Sequence, residues 1–396
     1  MTSRLTGFLH QHLESLKERS LYRHLRTIES AQGPWVTLEG RRVLNLCSNN
    51  YLGLASHEQI KAAVVRAISQ WGCGSGASRL ICGNLDLHEA LERRLAAFKG
   101  TQAALLYNSG YTANLGIISS LVGRGDWVFS DELNHASIVD GCRLSCAQIV
   151  VFPHNDLNSL EEKLRWASHL SEPGRKLIVV DGIFSVDGDL APLPELVNLA
   201  QEYEAVLMVD EAHATGAIGP GGRGVVAHFG LENHVPVIMG TLGKALGCFG
   251  AFAAGDRELV DFLINTSRSF IYTTALPPAI VASAMEALDM LETNPSLPLK
   301  LQENANYLRQ QLQALGYNTL NSQTQIIPVV IGKTTDTLEM SQRLLEEGVL
   351  VTAIRPPTVP EDTCRLRVTV MATHSREDLD FAWEAFRKVG HSLGII

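Results

Sequence analysis

The chain has 396 residues, of which 45% are hydrophobic and 19% charged. Such a composition suits a globular enzyme of roughly two to three domains and excludes a disordered or fibrous chain. The formal net charge of −9 argues against a nucleic-acid partner, whose phosphates would be repelled over most of the surface.

Residues 4–26 read as a helix with Leu5, Leu9, Leu13 and Leu16 on one stripe. Glu14 and Glu18 and the lack of an apolar run make this segment neither a signal nor a transit peptide. Gly33-Pro34 ends it, and Cys47–Gly53 is a turn-rich connection. Helices follow at 60–71, closed by the glycine cluster at 72–76, and at 88–98. From there strands are expected at 103–107, 127–130, 148–152, 177–181, 206–210, 237–240 and 249–254. Helical windows such as 157–169 and 193–203 separate several of them. That alternation predicts an α/β fold: a mostly parallel seven-stranded sheet with helices on both faces. A long helix is expected from 278 to about 292. Strands at 327–331, 349–354 and 365–370, with helices at 339–347 and 376–389, then predict a smaller α+β domain. The domain division expected is 1–55, 56–290 and 291–396. The weakly apolar stretch 236–255 carries Lys244 near its middle. A lysine at a bilayer centre costs ~2.5–3.5 kcal/mol, so no membrane span is expected. The seven cysteines, at 47, 73, 82, 142, 146, 248 and 364, are odd in number and form no CxxC pair. Reduced thiols in a cytoplasm fit better than a disulfide framework or a zinc ribbon, and no metal site is expected.

Two short aliphatic strands frame the chemistry. The first ends on Asp210-Glu-Ala-His213, and the second leads into Thr241-Leu-Gly-Lys244-Ala-Leu-Gly247. In open parallel sheets ligands bind beyond the carboxyl ends of the strands. Asp210-Glu-Ala-His213 also spells a helicase motor motif, which requires an upstream phosphate loop. The one Gly-Lys-Thr, at 332–334, lies downstream and has Ile327 in place of the leading glycine, so a nucleotide motor is excluded. A strand-terminal carboxylate instead suits the ring nitrogen of pyridoxal phosphate, whose protonation sustains its electron-sink role. Alone, Asp210 reads equally as a helix cap and His213 as a core histidine. Lys244 has no charged sequence neighbour, and an apolar setting lowers a lysine pKa as imine chemistry requires. Thr241, with Ser109, Gly110 and Tyr111 at the start of the helix after strand 103–107, are candidate phosphate donors.

These motifs, with Asn134-His135-Ala-Ser137, Phe184-Ser185-Val-Asp187-Gly-Asp189 and Ser48-Asn49-Asn-Tyr51-Leu-Gly53, resemble the α-oxoamine synthases along essentially the whole chain. Those fold-type I pyridoxal phosphate enzymes condense an amino acid with an acyl thioester and release carbon dioxide. Ala214 and Cys248 depart from the usual small residues without removing a reactive group. The resemblance implies that Lys244 binds the cofactor covalently and moves the Cα proton. It implies Asp210 at the ring nitrogen, His135 against the ring face, and Ser185 and His213 near the ring hydroxyl. Ser109, Gly110, Tyr111 and Thr241 would hold the phosphate, with Thr273 and Thr274 supplied by the second subunit of a homodimer. Asn49 and Arg355 would bind the amino-acid carboxylate. Arg23, with Arg26 as competitor, would meet the distal end of the acyl chain. Arg355-Pro-Pro-Thr-Val-Pro360 and Arg365-Leu-Arg367 resemble the branch that joins L-alanine to a pimeloyl thioester, on coenzyme A or acyl carrier protein. A glycine-using acetyltransferase is the alternative. A non-catalytic scaffold subunit is disfavoured because Lys244 is present.

Overall fold

The computed structural model describes residues 4–170 and 174–396; residues 1–3 of the expected N-terminal segment lie outside them. All seven expected central strands pair in one sheet. Its order is Ala103–Tyr107, Ala251–Gly255, Val237–Thr241, Val206–Asp210, Lys176–Asp181, Trp127–Asp131, Gln148–Phe152. Every strand but Ala251–Gly255 runs the same way, and that one is antiparallel to both neighbours.

Side chains alternate across a strand, so each strand feeds two cores. Ile178, Val180, Leu207 and Val209 join the larger cluster on one face. Leu177, Val179 and Met208 join a second cluster on the other, against Ile117, Ile118 and Ile138 of the covering helices. Burial of both faces explains the uninterrupted aliphatic runs. Each fully buried large aliphatic contributes about 1.5–3 kcal/mol of transfer free energy. Among the described residues no helix is long and apolar enough to cross a membrane, and all seven cysteines are free thiols.

The C-terminal sheet is antiparallel, in the order Ile326–Gly332, Cys364–Thr369, Thr352–Ile354. The single strand expected at 349–354 is two. Val349–Leu350 lies parallel to Arg41–Asn45 in an N-terminal sheet, and Thr352–Ile354 turns to Cys364–Thr369. Pairing partners change at Val351, which ties the ends of the chain together. The helix Ser296–Ala314 was not expected from the sequence, because Pro295 and Pro298 read as a break. Pro298 sits in its first turn, where a backbone N–H has no helical partner to lose.

The N-terminal helix also differs from expectation and ends at Glu18 rather than 26. Ser20 takes φ 55°, and Leu21 N and Ser20 N donate to Leu16 O and Lys17 O. This is the left-handed stop that glycine usually provides, here made by serine. The reversal brings Leu21, Tyr22 and Arg23 back beside Leu13 and Leu16.

Candidate active site

Six strands end at one edge of the sheet, and the loops beyond five of them carry candidate residues. Ser109 follows Ala103–Tyr107, His135 follows Trp127–Asp131, and Ser185 follows Lys176–Asp181. His213 follows Val206–Asp210, and Lys244 follows Val237–Thr241. Lys244, Asp210, His213, His135, Thr241, Gly110 and Tyr111 line one cavity of ≈ 150 Å³.

Asp210 is buried, with Oδ2 accepting from Asn114 Nδ2 at 2.8 Å and Oδ1 from Ala212 N at 2.8 Å. Asn114 gives its other hydrogen to Ser137 Oγ at 2.9 Å, and Ser137 Oγ lies 2.7 Å from His135 Nδ1. One buried amide thus ties the carboxylate at the cavity floor to the histidine at its side. Asp181 Oδ2 accepts from His135 N at 2.7 Å. Burial, and then the charge of Asp210, push Asp181 well above the usual carboxylate range. That disfavours a second negative charge beside Asp210.

Burial holds the Lys244 ammonium below its ordinary range, against the opposing pull of Asp210 and Asp181. No hydrogen bond or ion pair among the described residues engages its Nζ. Burial, and then the charges of Lys244 and Arg367, hold His213 well below 6.5 and therefore neutral. His135 is lowered by burial, with Asp210 opposing.

The helix Gly110–Leu121 opens on the cavity. Ser109 Oγ accepts from Thr112 N and Thr112 Oγ1 accepts from Ser109 N. The amides of Gly110 and Tyr111 have no partner within the helix, which makes its positive end an anion cradle. A Cβ at Gly110 would lie 2.8 Å from Thr241 Cγ2, so a larger residue would force this cradle off the strand end. A buried carboxylate, an unpartnered lysine of depressed pKa and a helix N-terminus are the donor set that pyridoxal phosphate needs, and the residues fit it.

Other candidates lie elsewhere. Thr273 and Thr274 accept from Asn108 Nδ2, both at 2.9 Å, and border a separate small cavity with Arg79 and His88. Ser185 reaches the site through its carbonyl, which accepts from Arg367 Nε at 2.5 Å. The structure does not join Asn49 to Arg355 as expected. Asn49 Oδ1 accepts from both terminal nitrogens of Arg367, at 3.1 and 3.2 Å, while Arg355 donates to Tyr22 O at 3.0 Å. Arg367 has no carboxylate partner among the described residues. The sequence motif Arg365-Leu-Arg367 contains this arginine but does not by itself assign it a role. The signal available was its place two residues beyond Arg365, on the same strand face, where Arg365 is already paired with Asp187.

Beneath the Ser185 loop, His154 bridges Asp131 at 3.1 Å and Asp189 at 2.8 Å. Burial alone would lower its pKa, but both carboxylates win and raise it to about 10. The folded value lies above the ordinary 6.5, so this clamp contributes fully below that pH and is lost as pH rises toward 10. We expect the urea midpoint of the native protein to fall between pH 7 and 10, and that slope to flatten in His154→Gln.

The sequence was compared with known proteins. The family model for aminotransferase class I and II matches residues 41–386. The 8-amino-7-oxononanoate synthase of Geobacter sulfurreducens is 54% identical over 100% of both chains. That of Geotalea daltonii is 50% identical over 97% of this chain and 98% of its own. The chain belongs to the 8-amino-7-oxononanoate synthase family. Among solved structures, a lysine-to-alanine variant of a serine palmitoyltransferase from S. paucimobilis, with a bound pyridoxal phosphate–myriocin aldimine, superposes with TM-score 0.93 at 32% identity, covering 100% of each chain. The 8-amino-7-oxononanoate synthase of Francisella tularensis gives TM-score 0.77 at 27% identity, over 89% of this chain and 99% of its own. The cavity lies where the parallel strands end, and the helices Gly110–Leu121 and Ala136–Ser145 add Asn114 and Ser137 to its wall.

Proposed function

We propose that this chain joins L-alanine to a pimeloyl thioester with loss of carbon dioxide, giving 8-amino-7-oxononanoate for biotin biosynthesis, with pyridoxal phosphate as cofactor. The observation that carries the reading is the meeting of Lys244, Asp210 and His135 in one cavity beside a free helix N-terminus. When bound, the cofactor supplies an electron sink for the bond electrons at the alanine Cα. Asp210 holds the ring nitrogen protonated, and Asn114 keeps that carboxylate aimed. His135 flanks the ring, and His213 stays neutral as a hydrogen-bonding partner with Ser185 nearby. Ser109, Gly110, Tyr111 and Thr241 hold the phosphate. Lys244, with its depressed pKa, takes and returns the Cα proton. Arg367, with Asn49 beside it, binds the alanine carboxylate through its planar fork.

The acyl chain has a natural berth. An apolar groove of ≈ 400 Å³ runs between Leu13, Leu16, Leu21 and Tyr22 on one side and Pro356-Pro357 on the other, with Arg23 at its edge. Arg355 is depressed by burial and then by the charge of Arg23, so two cations approach each other there. A chain with a second carboxylate at its far end relieves that repulsion. Arg23→Ala is expected to raise KM for the pimeloyl thioester about 3- to 10-fold, the range for one charge-assisted hydrogen bond at a partly exposed site, with alanine KM unchanged. The same result from Arg26→Ala and not from Arg23→Ala transfers the role to Arg26.

The functional reading is tested by assaying alanine with pimeloyl-CoA or pimeloyl-acyl carrier protein against glycine with acetyl-CoA. Preference for the second pair overturns it. We further propose a cytoplasmic homodimer in which Thr273 and Thr274 of one copy complete the phosphate site of the other, organised as domains 1–55, 56–290 and 291–396. The exposed Leu80, Ile81 and Tyr272 beside these threonines support an interface there, and a monomer by sedimentation would refute it.

A further inference from the structure

Between Arg367 and His213 stands Tyr51, fully buried and so far without a role. Its hydroxyl lies 2.6 Å from His213 Nδ1, 3.1 Å from Asn49 Oδ1 and 3.4 Å from Arg367 Nη2. A phenol has one proton to give, so only one of the first two contacts is its donation. Asn49 Oδ1 has two lone pairs, and Arg367 Nη1 and Nη2 already donate to it. No lone pair is left there for the tyrosine proton. Arg367 Nη2 can only donate, and it does so to the phenol oxygen, which polarises the O–H bond away from itself. The remaining acceptor is His213 Nδ1, and that is also the shortest of the three contacts.

We infer that Tyr51 is a positioning residue that donates to His213 Nδ1, so the neutral ring carries its proton on Nε2 and offers it to the cavity. A neutral imidazole has one donor nitrogen and one acceptor, and the bond made by one fixes the role of the other. The backbone of His213 is held as well, its carbonyl accepting from Gln325 Nε2 at 2.9 Å. The far end of the same chain of bonds is Arg367, the group proposed above to bind the substrate carboxylate. The substrate-binding guanidinium and the donor beside the cofactor are therefore joined through a single hydroxyl. The pairing also explains why a polar tip is retained on a completely buried ring: phenylalanine would leave both Nδ1 and Nη2 one partner short.

This inference deepens the proposed function, because it assigns His213 a direction within that site. The test is the tautomer of His213, read from nitrogen-15 histidine spectra of the protein before and after loading with pyridoxal phosphate, with His213→Gln supplying the resonance assignment. The expected result is an unprotonated Nδ1 and a protonated Nε2 in the native protein, and loss of that preference in Tyr51→Phe. A proton on Nδ1 in the native protein, or an unchanged Nε2–H pattern in Tyr51→Phe, overturns the inference. Kinetics give a second arm. Tyr51→Phe is expected to lower kcat/KM for alanine about tenfold while KM for the pimeloyl thioester stays within twofold of native. Equal losses for both substrates would mean a general packing defect and would also overturn it. Failure of the cofactor to attach at Lys244 in the native protein would instead sink the proposed function and leave the tautomer result standing.

Discussion

Lys244→Ala is expected to abolish turnover while leaving a folded protein that still holds the cofactor. General acid–base transfer alone is worth about 10²–10⁴-fold in rate, and loss of the covalent link adds to that. Retention follows from the geometry, because the helix N-terminus at Gly110–Tyr111, the Asp210 carboxylate and His135 line the same cavity independently of the lysine. Substitution of Lys244 removes an amine of depressed pKa whose Nζ has no hydrogen-bond or salt-bridge partner among the described residues, so no direct pair is broken by its loss. The measurements are single-turnover kinetics and cofactor absorbance after dialysis. In the native protein, borohydride should fix pyridoxyl label on the one peptide that contains Lys244. Label on any other lysine, or normal turnover in the alanine variant, removes the basis of the mechanism.

Asp210→Asn is the second large effect. A hydrogen bond to an ionised partner is worth about 1.5–3 kcal/mol, which corresponds to about 10- to 150-fold in rate at 1.36 kcal/mol per decade. Shape is preserved, so the loss falls on charge. Asn114 Nδ2, which now donates to Asp210 Oδ2, would meet either an amide oxygen or a second NH₂. The backbone N–H of Ala212, which donates to Oδ1, restricts which way the new amide can turn. Loss of kcat is expected, with KM for the pimeloyl thioester little changed, since that groove is built from other segments. A variant with native kcat would contradict the electron-sink argument directly. Asn114→Leu should show a weaker form of the same defect, because it frees the carboxylate without discharging it.

Some of the site was visible before the fold. Asp210, His213, His135, Lys244, Thr241 and the Ser109–Tyr111 turn each sit within a few residues of a strand end, and parallel sheets present strand ends to ligands. Arg367 and Tyr51 belong to motifs legible in the chain, yet nothing in the local sequence says which of Arg355 and Arg367 faces Asn49. The two arginines are separated by the loop 355–363, Arg355 just past Thr352–Ile354 and Arg367 within its antiparallel neighbour Cys364–Thr369. Their destinations depend on which strand each segment pairs with.

The helix boundaries tell the same story at smaller scale. A serine in left-handed backbone stopped the first helix, and Pro295 at the cap and Pro298 in the first turn of Ser296–Ala314 broke nothing. Both are local rules whose outcome is decided by neighbouring segments.

The places of the central strands along the chain, the burial of both sheet faces and the residue types of the reactive cluster followed from the chain's own pattern, because aliphatic period and strand-end position are local properties. Tertiary structure alone decided the Asn114 bridge beneath Asp210, the Tyr51 link between Arg367 and His213, and the His154 clamp. Each joins residues tens to hundreds of positions apart, and hydrogen bonds of that kind exist only once the sheet has set the distances.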